Sequence, residues 1–274
     1  MQRLERRFSA LIGDVDRAIR PLIDAIDLSA LARVNALYRH YAAAKFKHFV
    51  EIERRRWLKA LDLIAAARDG GTVCDLGCFI PYLPIALASI GYKVKIVDRY
   101  PLYGEAFRTA IMDAVRGRTI EVFDLDILRD DFSVLGRNDI VLLMAVVEHL
   151  NGTPRHLLKK VHDIIGPDGR FVFEVPNIAE FVKRIGMLLG MSPLGDYRDF
   201  YDSEYPHIGH NREMTVDEVV YMLGRSGFAV EYVECYDYNA DPVRTFRGKL
   251  AVLLKRALPV RNKGDSIIVT ARPL

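Results

Sequence analysis

The spacing of apolar and polar positions changes character partway along this chain. Leu58, Leu61, Ile64 and Ala65 recur at helical spacing, and Asp69, Gly70 and Gly71 end the pattern. This predicts a helical prefix over residues 1–70. The run Arg54-Arg55-Arg56 inside it reads as a solvated helix face, with an anion contact as the alternative. From Thr72 onward, short β-rich runs alternate with helical ones, the pattern of a mostly parallel sheet covered on both faces. Strands are expected near Thr72 to Leu76, Lys93 to Val97, Thr119 to Phe123, Asp139 to Met144, Gly169 to Val175, Ala229 to Tyr236 and Ser266 to Ala271. Helices are expected at Tyr82 to Ile90, Tyr103 to Val115, Pro154 to Ile165 and Thr215 to Arg225. The last opens on Thr215 with Glu218 three residues on, the signature of a capping box. Gly166-Pro167-Asp168-Gly169 reads as the turn into the fifth strand.

Two segments break the alternation. Asn177 to Arg212 is too long for an ordinary connection and leaves the C-terminal end of the fifth strand, the edge where such sheets bind ligands. It reads as a lid or substrate insert spanning 177–214 within a main domain of 71–274. Arg244 to Arg261 interleaves Phe246, Leu250, Leu253, Leu254 and Leu258 with Arg247, Lys249, Lys255 and Arg256, a basic amphipathic helix. It either covers a sheet edge or makes a peripheral membrane contact.

Composition narrows the classes. Half of the 274 residues are hydrophobic, enough for a full core. No apolar run approaches the roughly 20 residues of a membrane span, and the N-terminal stretch lacks the apolar core of a secretory signal, so a cytoplasmic location is expected. A net charge of +3 gives no reason to expect nucleic acid as a partner. Cys74, Cys78 and Cys235 are odd in number and without metal-ligand spacing, which points to reduced thiols. A small-molecule partner remains.

The chemistry concentrates in Val73 to Asp98, VCDLGCFIPYLPIALASIGYKVKIVD. This is strand, tight turn at Gly77, helix, and a second strand ending in a carboxylate about 20 residues on, an arrangement that holds a nucleoside by its ribose hydroxyls. The code is incomplete, because Phe79 and Pro81 stand where glycine is usual. Pro81 is compatible with a first helical turn. Phe79 either packs over the site or obstructs it.

With DLDI at Asp124 to Ile127 and DIVLLMAVVEHL at Asp139 to Leu150, the region Thr72 to Leu274 resembles the class I S-adenosylmethionine-dependent methyltransferases whose fourth strand ends in an EHL-type motif. GPDGRFVFEVPN, HIGHNREMTVDEV, SGFAVEYVE and IIVTARP follow in that group's order. The resemblance implies a seven-stranded, mostly parallel, Rossmann-like α/β sheet with S-adenosylmethionine as methyl donor. It further implies that Asp75, Gly77, Cys78 and Phe79 face the methionine part and that Asp98 takes the ribose hydroxyls. Arg99 would then flank the adenosine, Asp126 would accept from the adenine amino group with Asp124 as its rival, and Met144 and Ala145 would line the pocket beside the sulfonium.

Methylating an alcohol requires loss of its proton as the bond forms, whereas a neutral amine chiefly needs positioning. The candidate bases are His149, at the tip of the fourth strand, and His207 and His210, in the insert. Asp199, Asp202 and Glu204 lie near these last two without firm ligand spacing, so no metal is expected. Tyr197, Tyr201 and Tyr205 either wall a substrate pocket or pack the insert. The expected activity is O-methylation of a small polar acceptor such as a sugar or glycan intermediate. N-methylation of a small molecule, or a catalytically silent nucleoside-binding protein, are the alternatives, and the oligomeric state stays open.

Overall fold

The computed structural model describes residues 6–26, 43–203, 207, 209–238, 253–255 and 257–274. Two N-terminal helices, α1 (Ser9–Asp24) and α2 (Ala43–Ala67), precede the sheet. Then follow β1 (Gly71–Leu76), α3 (Tyr82–Ser89), β2 (Tyr92–Asp98), α4 (Glu105–Val115), β3 (Ile120–Asp124), β4 (Asn138–Met144), α5 (Arg155–Ile164) and β5 (Ile165–Pro176). The chain continues through α6 (Phe181–Leu188), α7 (Tyr197–Tyr201), α8 (Val216–Arg225), β6 (Phe228–Tyr236) and β7 (Ser266–Pro273). One seven-stranded sheet results, in the order β3-β2-β1-β4-β5-β7-β6, parallel except for β7, which runs antiparallel to both its neighbours.

Strict alternation explains the two layers. Val73, Val94, Ile96, Ile140, Leu142 and Val172 face one side, under α1 to α4, while Cys74, Leu76, Val97, Val141, Leu143 and Phe173 face the other, under α5 and α8. α4 presents a narrow apolar stripe, whereas α3 is buried from Tyr82 to Leu87. Phe107, Ile111 and Val115 recur every four residues along α4 and are buried. At the start of α8 the Thr215 hydroxyl accepts from the Glu218 N–H while the Glu218 carboxylate accepts from the Thr215 N–H, the expected capping box.

Two expectations change. Gly166 to Gly169 is not a turn ahead of the fifth strand: α5 passes directly into β5 at Ile165, and the pairing with β4 shifts register between Asn138 and Ile140 to absorb the extra residues. Nor is the arginine run a solvated face. Arg56 is only 7 % exposed and pairs with Glu53 of its own helix and, at 3.0 Å, with Glu174 of β5. A carboxylate in the apolar run of a central strand needs a cation, and α2 brings it.

The insert leaves and rejoins the sheet at one point, where Asn177 bridges Met214. Ile178 N–H donates to the Met214 carbonyl and Met214 N–H to the Pro176 carbonyl. Tyr197 and Tyr201 on α7 are largely exposed and do not line the cavity at the strand tips, while Tyr205 and Glu204 lie outside the described residues. Most of the basic stretch Arg244 to Arg261 also lies outside them. Among the described residues no helix is long and apolar enough to cross a membrane, and the three cysteines are free thiols.

Candidate active site

β1 and β4 are neighbours that lead to opposite halves of the sheet, and the crevice at their C-terminal tips is where an open parallel sheet binds ligands. A cavity of about 770 Å³ opens there. Its wall is built from the ends of β1, β2 and β4, from the loop after β3, and from α2, which supplies Glu53, Arg56 and Trp57.

At the tip of β1, Gly77 adopts φ +75°, and a Cβ there would stand 2.5 Å from Val146 Cγ2, so only glycine fits. Its N–H donates to the Val97 carbonyl and pins the turn to β2. Two residues on, Phe79 holds φ +50° and donates its N–H to Asp98 Oδ2 at 2.8 Å. The Phe79 ring turns toward α4, stacking on Phe107 and meeting Tyr103 edge-on. The cavity stays open beside it. Ala145, just past β4, is the other wall residue at positive φ without being glycine, and such strain concentrates at functional sites.

Three acids mark one end. Asp98 is buried at the tip of β2; its Oδ1 accepts from the Arg99 N–H at 2.7 Å and the Tyr103 hydroxyl at 2.9 Å. Burial raises its carboxyl above the usual range against the pull of those hydrogen bonds. Asp75 is pushed up to about 7 by burial, which a hydrogen bond with Cys78 opposes and the nearby charge of Asp98 reinforces. Asp126 lies on the wall 3.4 Å from the Arg99 guanidinium. Its rival Asp124 does not. That side chain turns to α4, where Arg108 donates to it at 3.1 and 3.3 Å.

The other end gathers Glu148, His149 and His210. The insert is clasped to the turn after β4: Asn211 and Arg212 donate their N–H groups to the Glu148 carbonyl, and the Asn211 amide donates to the His149 carbonyl. His149 Nδ1 sits 3.0 Å from the Gly209 carbonyl, and the two imidazoles meet edge to face at 4.9 Å. Burial pushes His149 down to about 4, with His210 acting in the same direction, so its ring is neutral at physiological pH. Glu148 is fully buried and raised to about 7 by that burial, partly offset by His210. His207, by contrast, is not on the wall. Its Nδ1 pairs with the Ser203 hydroxyl at 2.9 Å and its ring packs on Phe200.

Of the candidate residues, the structure brings Asp75, Gly77, Cys78, Phe79, Asp98, Arg99, Asp126, Met144, Ala145, His149 and His210 onto one cavity and leaves Asp124 and His207 off it. The sequence reading missed Glu53, Arg56, Trp57, Tyr103, Glu148 and Tyr238 on the same wall. The signal that was available for Arg56 was Glu174, a lone acid inside FVFEV.

No curated protein sequence matches the chain. Solved structures share the fold at low identity. The magnesium protoporphyrin IX methyltransferase of Synechocystis PCC 6803, determined with bound SAH, is 14 % identical with a TM-score of 0.54, over 84 % of this chain and 95 % of that one. The 1,6-didemethyltoxoflavin-N1-methyltransferase of Burkholderia thailandensis, solved with bound 1,6-didemethyltoxoflavin and S-adenosylhomocysteine, is 15 % identical with a TM-score of 0.53, over 84 % of this chain and 82 % of that one. The N-methyltransferase NodS of Bradyrhizobium japonicum, in complex with S-adenosyl-L-homocysteine, is 14 % identical with a TM-score of 0.52, over 81 % and 87 %. A family model described as a methyltransferase domain matches residues 46–233, from within α2 to β6 and across every wall of the cavity but the one at Tyr238, and the chain belongs to that family.

Proposed function

We propose that the cavity binds S-adenosylmethionine and that the protein methylates an oxygen of a small polyhydroxylated acceptor, a sugar or glycan intermediate. The observation that carries this reading is the continuity of one cavity from the acids Asp75, Asp98 and Asp126 to the buried Glu148, His149 and His210. The donor supplies, when bound, a methyl group on a positively charged sulfur. The residues present suit such a molecule: Asp98 accepts from ribose hydroxyls, Asp126 accepts from the adenine amino group, and Arg99 flanks the adenosine. Asp75 and the Gly77–Cys78 turn hold the amino-acid tail. Met144 and Ala145 lie in sequence just ahead of the imidazole end and stand beside the transferring methyl.

Oxygen is favoured over nitrogen by the proton inventory. His149 Nδ1 faces a carbonyl, which only accepts, so that nitrogen carries the hydrogen and Nε2 keeps a lone pair. His210 presents Nδ1 to Glu213 Oε1 at 3.0 Å, and that carboxylate stabilises the imidazolium that proton uptake would create. A hydroxyl can therefore pass its proton to an imidazole Nε2 as its oxygen bonds to the methyl carbon and the sulfur–methyl bond breaks, leaving the demethylated donor. Trp57, Tyr238 and Arg56 give the acceptor an aromatic face and a charged edge, which suits a ring bearing hydroxyls.

The test is methyl transfer from isotopically labelled donor to matched panels of sugar hydroxyls and amines. Label at oxygen is the expected result. Transfer to amines alone would replace this reading with N-methylation.

A further inference from the structure

Neither carboxylate oxygen of Glu148 has a hydrogen-bond partner among the described residues, although the side chain is fully buried. A buried, unpaired carboxylate is costly unless something positive meets it. The nearest imidazole nitrogen, His149 Nε2, lies 3.9 Å from Oε1, too far for a hydrogen bond. Ligand atoms of Glu148, His149 and His210 all fall within 4.8 Å of one another. Arg56, the cation beside them, is already paired with Glu53 and Glu174.

The geometry points to a site for one divalent first-row transition cation, held by Glu148, His149 Nε2 and His210 Nε2, with open positions toward the cavity. The surroundings are those that metal-binding histidines require. Each ring has its Nδ1 turned to an acceptor, the Gly209 carbonyl for His149 and the Glu213 carboxylate for His210, which fixes the tautomer and leaves Nε2 as donor to a metal. Glu213 is in turn tied to Lys183. The main-chain clasp between Asn211, Arg212 and the Glu148 carbonyl holds the two halves of the site in register. A cation about 2.1 Å from each donor brings those donors to roughly 3 to 3.5 Å apart, a contraction of up to about 1.8 Å that side-chain rotation supplies. Two imidazoles and one carboxylate suit Zn²⁺, Mn²⁺, Fe²⁺, Co²⁺ or Ni²⁺ over Mg²⁺ and Ca²⁺, which take oxygen ligands.

The role of the cation rests on the O-transfer reading: an acceptor hydroxyl would occupy an open position and release its proton to solvent water more easily there, before its oxygen takes the methyl group and the sulfur–methyl bond breaks, in place of direct proton uptake by an imidazole. Binding of the cation does not depend on that reading. The test titrates chelator-stripped full-length protein with Co²⁺, following visible d–d absorption, and measures S-adenosylhomocysteine binding in the same preparations. One equivalent of Co²⁺ is expected, with affinity reduced at least about 10-fold in Glu148→Gln and His210→Ala, and in Glu213→Gln through loss of ligand support. Wild-type protein that takes up no Co²⁺, or uptake unchanged in all three variants, overturns the site. S-adenosylhomocysteine binding without Co²⁺ uptake removes the cation and leaves the proposed function standing. Co²⁺ uptake without S-adenosylhomocysteine binding does the reverse.

Discussion

Replacing Asp98 by alanine tests the donor end directly. An ionised carboxylate offers about four acceptor positions. In this structure three are taken, by the N–H groups of Phe79 and Arg99 and by the Tyr103 hydroxyl. One direct position is left for a ribose hydroxyl, and the second hydroxyl of the diol must share an oxygen or displace Tyr103. A hydrogen bond to a charged group contributes about 1.5–3 kcal/mol, so Asp98→Ala is expected to weaken S-adenosylhomocysteine binding by about 10- to 100-fold. The same count predicts the opposite sign at Tyr103: removing its hydroxyl in Tyr103→Phe vacates an acceptor position and leaves donor affinity equal or improved. Isothermal titration calorimetry on the wild type and both variants measures this, with a thermal melt of each to establish folding. A folded Asp98→Ala protein with unchanged affinity would remove Asp98 from the site. A tenfold loss in Tyr103→Phe would instead make that hydroxyl a ligand contact.

Gly77→Ala combines a left-handed backbone with a Cβ placed 2.5 Å from Val146 Cγ2, so a lower melting temperature is expected, partly restored by adding Val146→Ala; an unperturbed single variant would contradict the described turn. Stability should also fall as pH rises from about 6.5 to 8. Glu148 and Asp75 have native carboxyls raised to about 7, so the folded state binds more protons than the unfolded one in this range, and their contribution is present at low pH and lost as pH passes 7. His149, lowered to about 4, acts with the opposite sign, but only below its ordinary value near 6.5. Glu148→Gln is expected to flatten the decline seen in denaturant midpoints of metal-free protein, and identical slopes in variant and wild type would refute the assignment.

Most of the fold was legible because each strand alternates or runs apolar and each helix carries its own punctuation, as Thr215 and Glu218 do. What failed was long-range. Arg56 looked solvated because nothing within its helix showed that Glu174, more than a hundred residues on, would meet it in the core. Gly166 to Gly169 has turn composition, and only the register shift against β4 reveals that a strand can carry it. At the site, the order of motifs located both ends of the cavity but could not separate Asp124 from Asp126, two acids that part company through the reach of Arg108 from α4. His207 and His210 are three residues apart, and only the clasp at Asn211 decides which of them meets His149.

The wall contributed by α2 has a consequence for how such a protein diversifies. The tips of β1, β2 and β4 line the cavity as part of the sheet itself, so substitutions there disturb core and cavity together. Glu53, Arg56 and Trp57 reach the same cavity from a helix that lies ahead of the sheet in the chain. Under the proposed reading, exchanging that helix would alter which acceptor is accepted while the methyl-donating half stays intact, provided a cation is retained opposite Glu174. Acceptor choice is thereby partly uncoupled from the chemistry, within the constraints set by the buried Arg56–Glu174 pair and by the packing of Leu58, Leu61 and Ile64 in the core.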